Sequence, residues 1–151
     1  MTKYYICAGG NNMQVNEPMV SYGYTDDSTV LSIMDMIRVG VKFSQFNEIT
    51  KKIPFTLTEW SKFLHLSERT IQRYQQENKT FEPLQSEKIT QLTMLANYGA
   101  EVLGSSELFF TWINSNNVAL GGVMPKMFLD NSFGIEYIKN ELGRISHGVL
   151  S

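Results

Sequence analysis

The stretch "LSERTIQRYQQ" holds five side chains of the types that read a nucleic acid: Arg69, Thr70, Gln72, Arg73 and Gln76. Arginine offers paired donors to the acceptor edge of guanine, glutamine matches adenine, and hydroxyl groups bond phosphate oxygens. On a helix these side chains point away from a core made by Ile71 and Tyr74. Ser67, just ahead of them, is of the type that closes a helix N-terminus.

Such a face works only if another helix braces it. Upstream, "TLTEWSKFLH" predicts that helix, with Thr58 as its cap, and Ser67 caps the second. A turn of about three residues remains around His65 and Leu66, the spacing of a helix-turn-helix. Trp60, Leu64, Leu66, Ile71 and Tyr74 lock the two helices, and Ser61 is the small residue where they touch. His65 stands where a glycine often makes the turn. A helical hairpin with an ordinary solvated face has the same spacing, so the pattern alone leaves both readings open. Two arginines in the second helix imply modest affinity per chain, which a two-fold dimer on two half-sites would offset.

Charge distribution favours the same segment. The formal net charge is −2, which argues against indiscriminate attraction to nucleic acid. Residues 1–50 and 91–151 each hold three Lys/Arg against five Asp/Glu, whereas residues 51–90 hold seven against five. The middle is the one net-basic part.

The other candidate surface is the closing stretch "ELGRISHGVLS". Ile135, Ile138, Leu142, Ile145 and Val149 recur at spacings of three and four, which predicts a helix from about Ser132. That helix would present Arg144 and His147, then Gly148, Val149, Leu150 and Ser151. Burial of Val149 and Leu150 under a partner would contribute about 1.5–3 kcal/mol each. The bland alternative is that Val149 completes the stripe and the last two residues fray. His147 has no second base, nucleophile or metal ligand at a usable spacing, so a helix-end role is expected of it. No catalytic residue, metal site or cofactor is expected.

The remaining elements are helical, so the fold class is all-α. Residues 1–26, with Gly-Gly, Asn-Asn and Pro18, read as a flexible arm. Tyr4, Tyr5, Tyr22 and Tyr24 lie within it. Helices follow in "TVLSIMDMIRVG", with Val30, Ile33, Met34 and Ile37 on one face, and in "FSQFNEITKKI", with Phe43, Phe46, Ile49 and Ile53. A long helix runs from Pro83 or Leu84 to Gly104 with Ile89, Leu92, Leu95, Ala96 and Leu103 inward. A short helix, "SSELFFTWI", is capped by Ser105 or Ser106, and its Phe109, Phe110 and Trp112 are expected in the core. Gly121-Gly122 makes a tight turn and Pro125 opens another short helix. The expected division is an arm at 1–26, a helix-turn-helix domain at 27–104 and a small helical domain at 105–151. Cys7 is the single cysteine and fits an inert thiol in the cytoplasm. No run approaches the length of a membrane span, and the first residues lack a secretory signal pattern.

Two segments resemble one family, the Xre/MbcA/ParS antitoxins that partner RES-domain toxins. "LSERTIQRYQQ" matches the family's recognition helix at Ser67, Arg69, Thr70, Ile71 and Arg73. "WINSNNVALGGVMPKMFLDNSFGIEYIKNELGRISHGV" is similar to its toxin-binding domain. There a tryptophan helix leads to an "ALGG" loop, a proline-led turn, and a last helix carrying Leu142, Arg144, Ile145, Gly148 and Val149. Asn116-Asn117 replaces a commoner Pro-Asn, and Ile138 stands where valine is usual. The resemblance implies a binding protein, not an enzyme. It would neutralise an NAD-consuming or ADP-ribosylating toxin by placing its C-terminal residues at the toxin's active site. It would also bind operator DNA of its own operon, as a homodimer within a toxin–antitoxin assembly. The competing reading is a stand-alone helix-turn-helix regulator whose C-terminal helices only dimerise.

Overall fold

Short polar residues and a proline set the helix starts in the structure, a computed structural model that describes residues 27–148. Seven α-helices follow in order: α1 (Asp27–Val39), α2 (Phe43–Lys52), α3 (Leu57–Leu64), α4 (Glu68–Glu77), α5 (Pro83–Leu103), α6 (Ser106–Ile113) and α7 (Ser132–Ser146). Two 3-10 turns, Val118–Leu120 and Pro125–Phe128, lie between α6 and α7. Among the described residues β-pairing is limited to two isolated bridges, Lys42 with Thr80 and Asn117 with Val123. The all-α expectation holds. The expected arm and its tyrosines, Cys7, and the tail residues Val149, Leu150 and Ser151 lie outside the described residues.

Several helix starts follow the expected capping chemistry. Ser105 and Asn131 each accept a bond from the backbone N–H three residues on, which satisfies a donor that the first turn leaves unpaired. Pro83 and Pro125 open α5 and the second 3-10 turn, positions that need no N–H. The cap of α3 differs from expectation. Thr56 fills the role, accepting from the Glu59 amide while the Glu59 carboxylate takes the Thr56 amide at 2.8 Å. Thr-x-x-Glu closes two donors reciprocally, which Thr58 with Ser61 three residues on cannot do.

One core runs through the whole described chain. Phe46 stands edge-on to Trp60 and Phe81, each at 5.0 Å between ring centres. Ile89, Ile113, Leu129, Ile138 and Leu142 are fully enclosed. Helix α5 is the shared wall: α1, α3, α6 and α7 all pack on it. Phe109 is buried, while Phe110 and Trp112 are only partly so and edge the core. Helix α1 forms where expected, but its apolar stripe is not enclosed. Val30, Leu31 and Met34 are exposed and Ile33 and Ile37 half-buried, because α5 covers only one side of this helix.

Two glycines set how closely elements approach. A Cβ on Gly99 of α5 would overlap the Phe109 ring of α6, and one on Gly134 of α7 would overlap the Phe128 carbonyl oxygen. A ring can turn aside; a backbone carbonyl cannot without moving its segment. Gly134→Ala is therefore expected to destabilise the fold by about 2 kcal/mol or more. Gly143→Ala in the same helix meets nothing closer than 3.6 Å and should stabilise by up to about 1 kcal/mol. Thermal melts of the two variants, moving in opposite directions, check both.

Candidate nucleic-acid and partner interfaces

The α3–turn–α4 unit is built from local bonds. Helix α3 ends with His65 in the left-handed region, φ 53°, a conformation that glycine adopts more readily. Leu66 N–H reaches back to the Ser61 carbonyl at 3.1 Å, and the Ser61 hydroxyl donates to the Leu66 carbonyl at 2.5 Å. Ser61 is thus both the small contact and the clasp of the turn. The Thr58 hydroxyl, freed from capping, donates to the Glu68 carboxylate at 2.6 Å and ties the starts of the two helices together. Trp60, Leu64, Ile71 and Tyr74 are buried and Leu66 half-buried, as the expected locks require.

The far end of α4 is fixed as well. Asn78 closes it in the left-handed region and accepts from the Ser44 amide at 3.2 Å. Beyond it, Phe81 N–H bonds the Val41 carbonyl, and the buried Ser86 hydroxyl joins the Val41 amide to the Phe81 carbonyl. Lys79 lies over the Tyr74 ring, 4.7 Å from its centre. Helix α4 is pinned at both ends.

Its outer face carries the expected candidates in two states. Ser67 caps the helix, accepting from the Thr70 amide at 3.1 Å, and the two hydroxyls bond one another at 2.8 Å. They are therefore committed to the helix start. Arg69, Gln72, Arg73 and Gln76 are exposed. Spacings of three and four put them on one side of the helix. Among the described residues, none of these four has a hydrogen-bond or ion-pair partner, so their donors face solvent.

At the other candidate surface, α7 starts on Asn131, whose side chain accepts from the Gly134 amide at 2.9 Å. Arg144 is half-exposed and bonds Glu141 at 2.9 Å, a carboxylate almost wholly buried. That partnership was missed in the sequence, although a spacing of three residues on a helix is its usual sign. The His147 ring donates from Nδ1 to the Gly143 carbonyl at 2.7 Å, which also accepts the His147 backbone N–H at 3.1 Å. Gly148 turns the backbone at φ 69° and is exposed. Arg144, His147 and Gly148 thus stand together at the end of α7.

Two ties join the surfaces' supports. His65 Nε2 donates to the Asp130 carbonyl at 2.9 Å, just before α7. Lys126 bonds Glu59 at 3.0 Å, linking α3 to the second 3-10 turn. Burial pushes the Glu59 carboxyl up, but the Thr56 amide and Lys126 outweigh it and hold the group below its usual value. Lys88, nearly enclosed on α5, is held below the usual lysine value by burial, partly offset by Asp130 and Glu87. Among the described residues no group of three or more His, Cys, Asp or Glu side chains could hold a metal ion.

Comparison with known families gives two adjoining matches. The antitoxin Xre-like helix-turn-helix domain matches residues 32–93, and the antitoxin Xre/MbcA/ParS C-terminal toxin-binding domain matches residues 99–148. The chain belongs to the Xre/MbcA/ParS antitoxin family. The antitoxin's two matched regions meet inside α5, and each contains one of the surfaces just described. No curated protein matches the chain. Among the described residues no helix of this antitoxin is long and apolar enough to cross a membrane.

The pairing of Arg144 with a buried carboxylate has a consequence for stability. Arg144→Ala leaves Glu141 without its partner and should cost about 1–3 kcal/mol. Adding Glu141→Gln should recover part of that loss, since the remaining group is then neutral. His147→Ala, at an exposed helix end, should cost under about 1 kcal/mol. Denaturant titration of the three variants and the parent measures each difference.

Proposed function

We propose that this antitoxin neutralises a RES-domain toxin, one that consumes NAD or transfers ADP-ribose from it, by docking its C-terminal end at the toxin's active site. Arg144, His147, Gly148, Val149, Leu150 and Ser151 form the docking end. The match to a toxin-binding domain over residues 99–148, ending where α7 turns at Gly148, carries this reading. Its action is binding rather than catalysis, and its place is the cytoplasm.

The same protein represses its own operon. Helix α4 enters the major groove, with Arg69, Gln72, Arg73 and Gln76 toward base edges and backbone. Ser67 and Thr70 sit at its N-terminus, where amides and the helix dipole favour a phosphate. The four unpaired polar side chains on one pinned helix support this. A homodimer supplies the second half-site, and the uncovered aliphatic side of α1 supports pairing of two copies. The working division is a helix-turn-helix and dimerisation domain at 27–104 and a toxin-binding domain at 105–151.

Separating the two activities tests the reading. Removing residues 148–151, which spares Arg144 and its hold on Glu141, should abolish rescue of toxin-arrested growth and leave operator binding intact. Arg69→Ala and Arg73→Ala should each weaken operator binding and preserve rescue. A contact to phosphate should lower the salt slope by about one, and a contact to a base should cost about 1–3 kcal/mol at one operator position. Full rescue by the shortened chain overturns the toxin half. Unchanged gel shifts for both arginine variants overturn the DNA half.

A further inference from the structure

The solvent side of α7 carries a row of exposed side chains that leads to the C-terminal end. Phe133, Tyr137, Asn140, Arg144 and His147 recur at spacings of four and three, so they line one side of the helix. All five are exposed, while Ile135, Ile138 and Leu142 face the core. At 1.5 Å per residue the row extends over about 21 Å. Phe133 is 91% exposed and Tyr137 40%. A wholly exposed phenylalanine beside a second aromatic is unusual on a surface and marks contact with another molecule.

The aromatic end of this row is rigid. Asn131 caps the helix immediately before it, and Gly134 lies against the Phe128 backbone. The Phe128 ring meets Tyr137 edge-on at 5.5 Å. Tyr137 is thus held in place before any partner arrives, so less freedom is lost on binding. Aromatic side chains and arginine are the types that carry most of the affinity in protein interfaces.

We infer that this row is the main docking spine for the toxin, with Phe133 and Tyr137 as its anchors and the C-terminal end as its tip. The inference rests on the reading that the tip meets the toxin. The whole row lies within the toxin-binding domain, and its last members, Arg144 and His147, belong to the tip itself. The toxin then carries an apolar groove beside its active-site mouth, which receives the two rings. The helix lies in that groove along its length, as amphipathic helices do in helix-in-groove recognition. The aromatic end supplies affinity; the tip obstructs the active site.

The test uses the full chain and a catalytically inactive form of the toxin encoded beside it, titrated by calorimetry. Phe133→Ser should weaken the complex about tenfold or more while leaving thermal stability and operator binding at parent levels, because the side chain is 91% exposed. Tyr137→Ser should weaken it further in combination, with thermal melts run alongside because that ring touches Phe128. An affinity for Phe133→Ser within about twofold of the parent overturns the spine. The chain lacking 148–151 is measured in parallel. If that chain fails to rescue growth and Phe133→Ser binds normally, the spine falls and the tip reading stands. If Phe133→Ser binds weakly and the shortened chain still rescues, the spine stands and the tip reading falls. A changed oligomeric state with unchanged toxin affinity assigns the row to a second copy and overturns the proposal.

Discussion

Helix α5 has to be covered on several sides at once, and the other elements are arranged by that need. Ile89, Leu92, Leu95 and Ala96 are all buried, and with α1, α3, α6 and α7 packed on the helix only the side carrying Glu87, Asn97 and Glu101 is left exposed. The hydroxyls enclosed along it are satisfied locally. The Ser86 hydroxyl bridges Val41 and Phe81, and Thr90 and Thr93 bond back to carbonyls four residues earlier. An unpaired hydroxyl at such a site would cost about 1–3 kcal/mol, so these bonds decide whether the helix can be enclosed. Because the two matched regions meet inside this helix, a continuous rod joins them, with no flexible linker between.

The two cross-ties reinforce the rod. His65 sits in the helix-turn-helix turn yet bonds the Asp130 carbonyl ahead of α7, and Glu59 in α3 holds Lys126. This gives a physical reason for the departure from glycine at the turn. A histidine accepts the left-handed backbone less readily than glycine, but it brings an imidazole N–H that reaches the other half of the molecule. Glu59 likewise serves twice, closing the cap of α3 and pairing with Lys126. The supports of the α4 face and the α7 face are thereby bonded to one another.

Much of this was legible in the sequence, and the exceptions share a cause. Helix positions, the Ser67 cap, the Pro83 and Pro125 starts and the Gly121-Gly122 turn, with both residues at positive φ, depend on neighbours a few residues away. Local patterns report such features directly. The Thr56–Glu59 box is equally local, and the glutamate three residues on is the sign that favours Thr56 over Thr58. The bonds from His65 to Asp130 and from Glu59 to Lys126 span more than sixty residues. No spacing rule predicts those. The α1 stripe marks another limit: periodicity shows that a helix has an apolar side, not what lies against it.

Three of the exposed helix sides, on α1, α4 and α7, differ enough in chemistry to separate their uses. That of α1 exposes the apolar Val30, Leu31 and Met34, with Asp27 and Arg38 on the same side. That of α4 holds guanidinium and amide groups with no apolar member among Arg69, Gln72, Arg73 and Gln76. That of α7 mixes rings at one end with hydrogen-bonding groups at the other. Exposed apolar side chains gain by excluding water and suit another apolar surface. A purely polar side gains little from burial but much from matched acceptors, and phosphates and base edges supply those in a regular array. A mixed row suits a partner surface that joins an apolar groove to hydrogen-bonding groups.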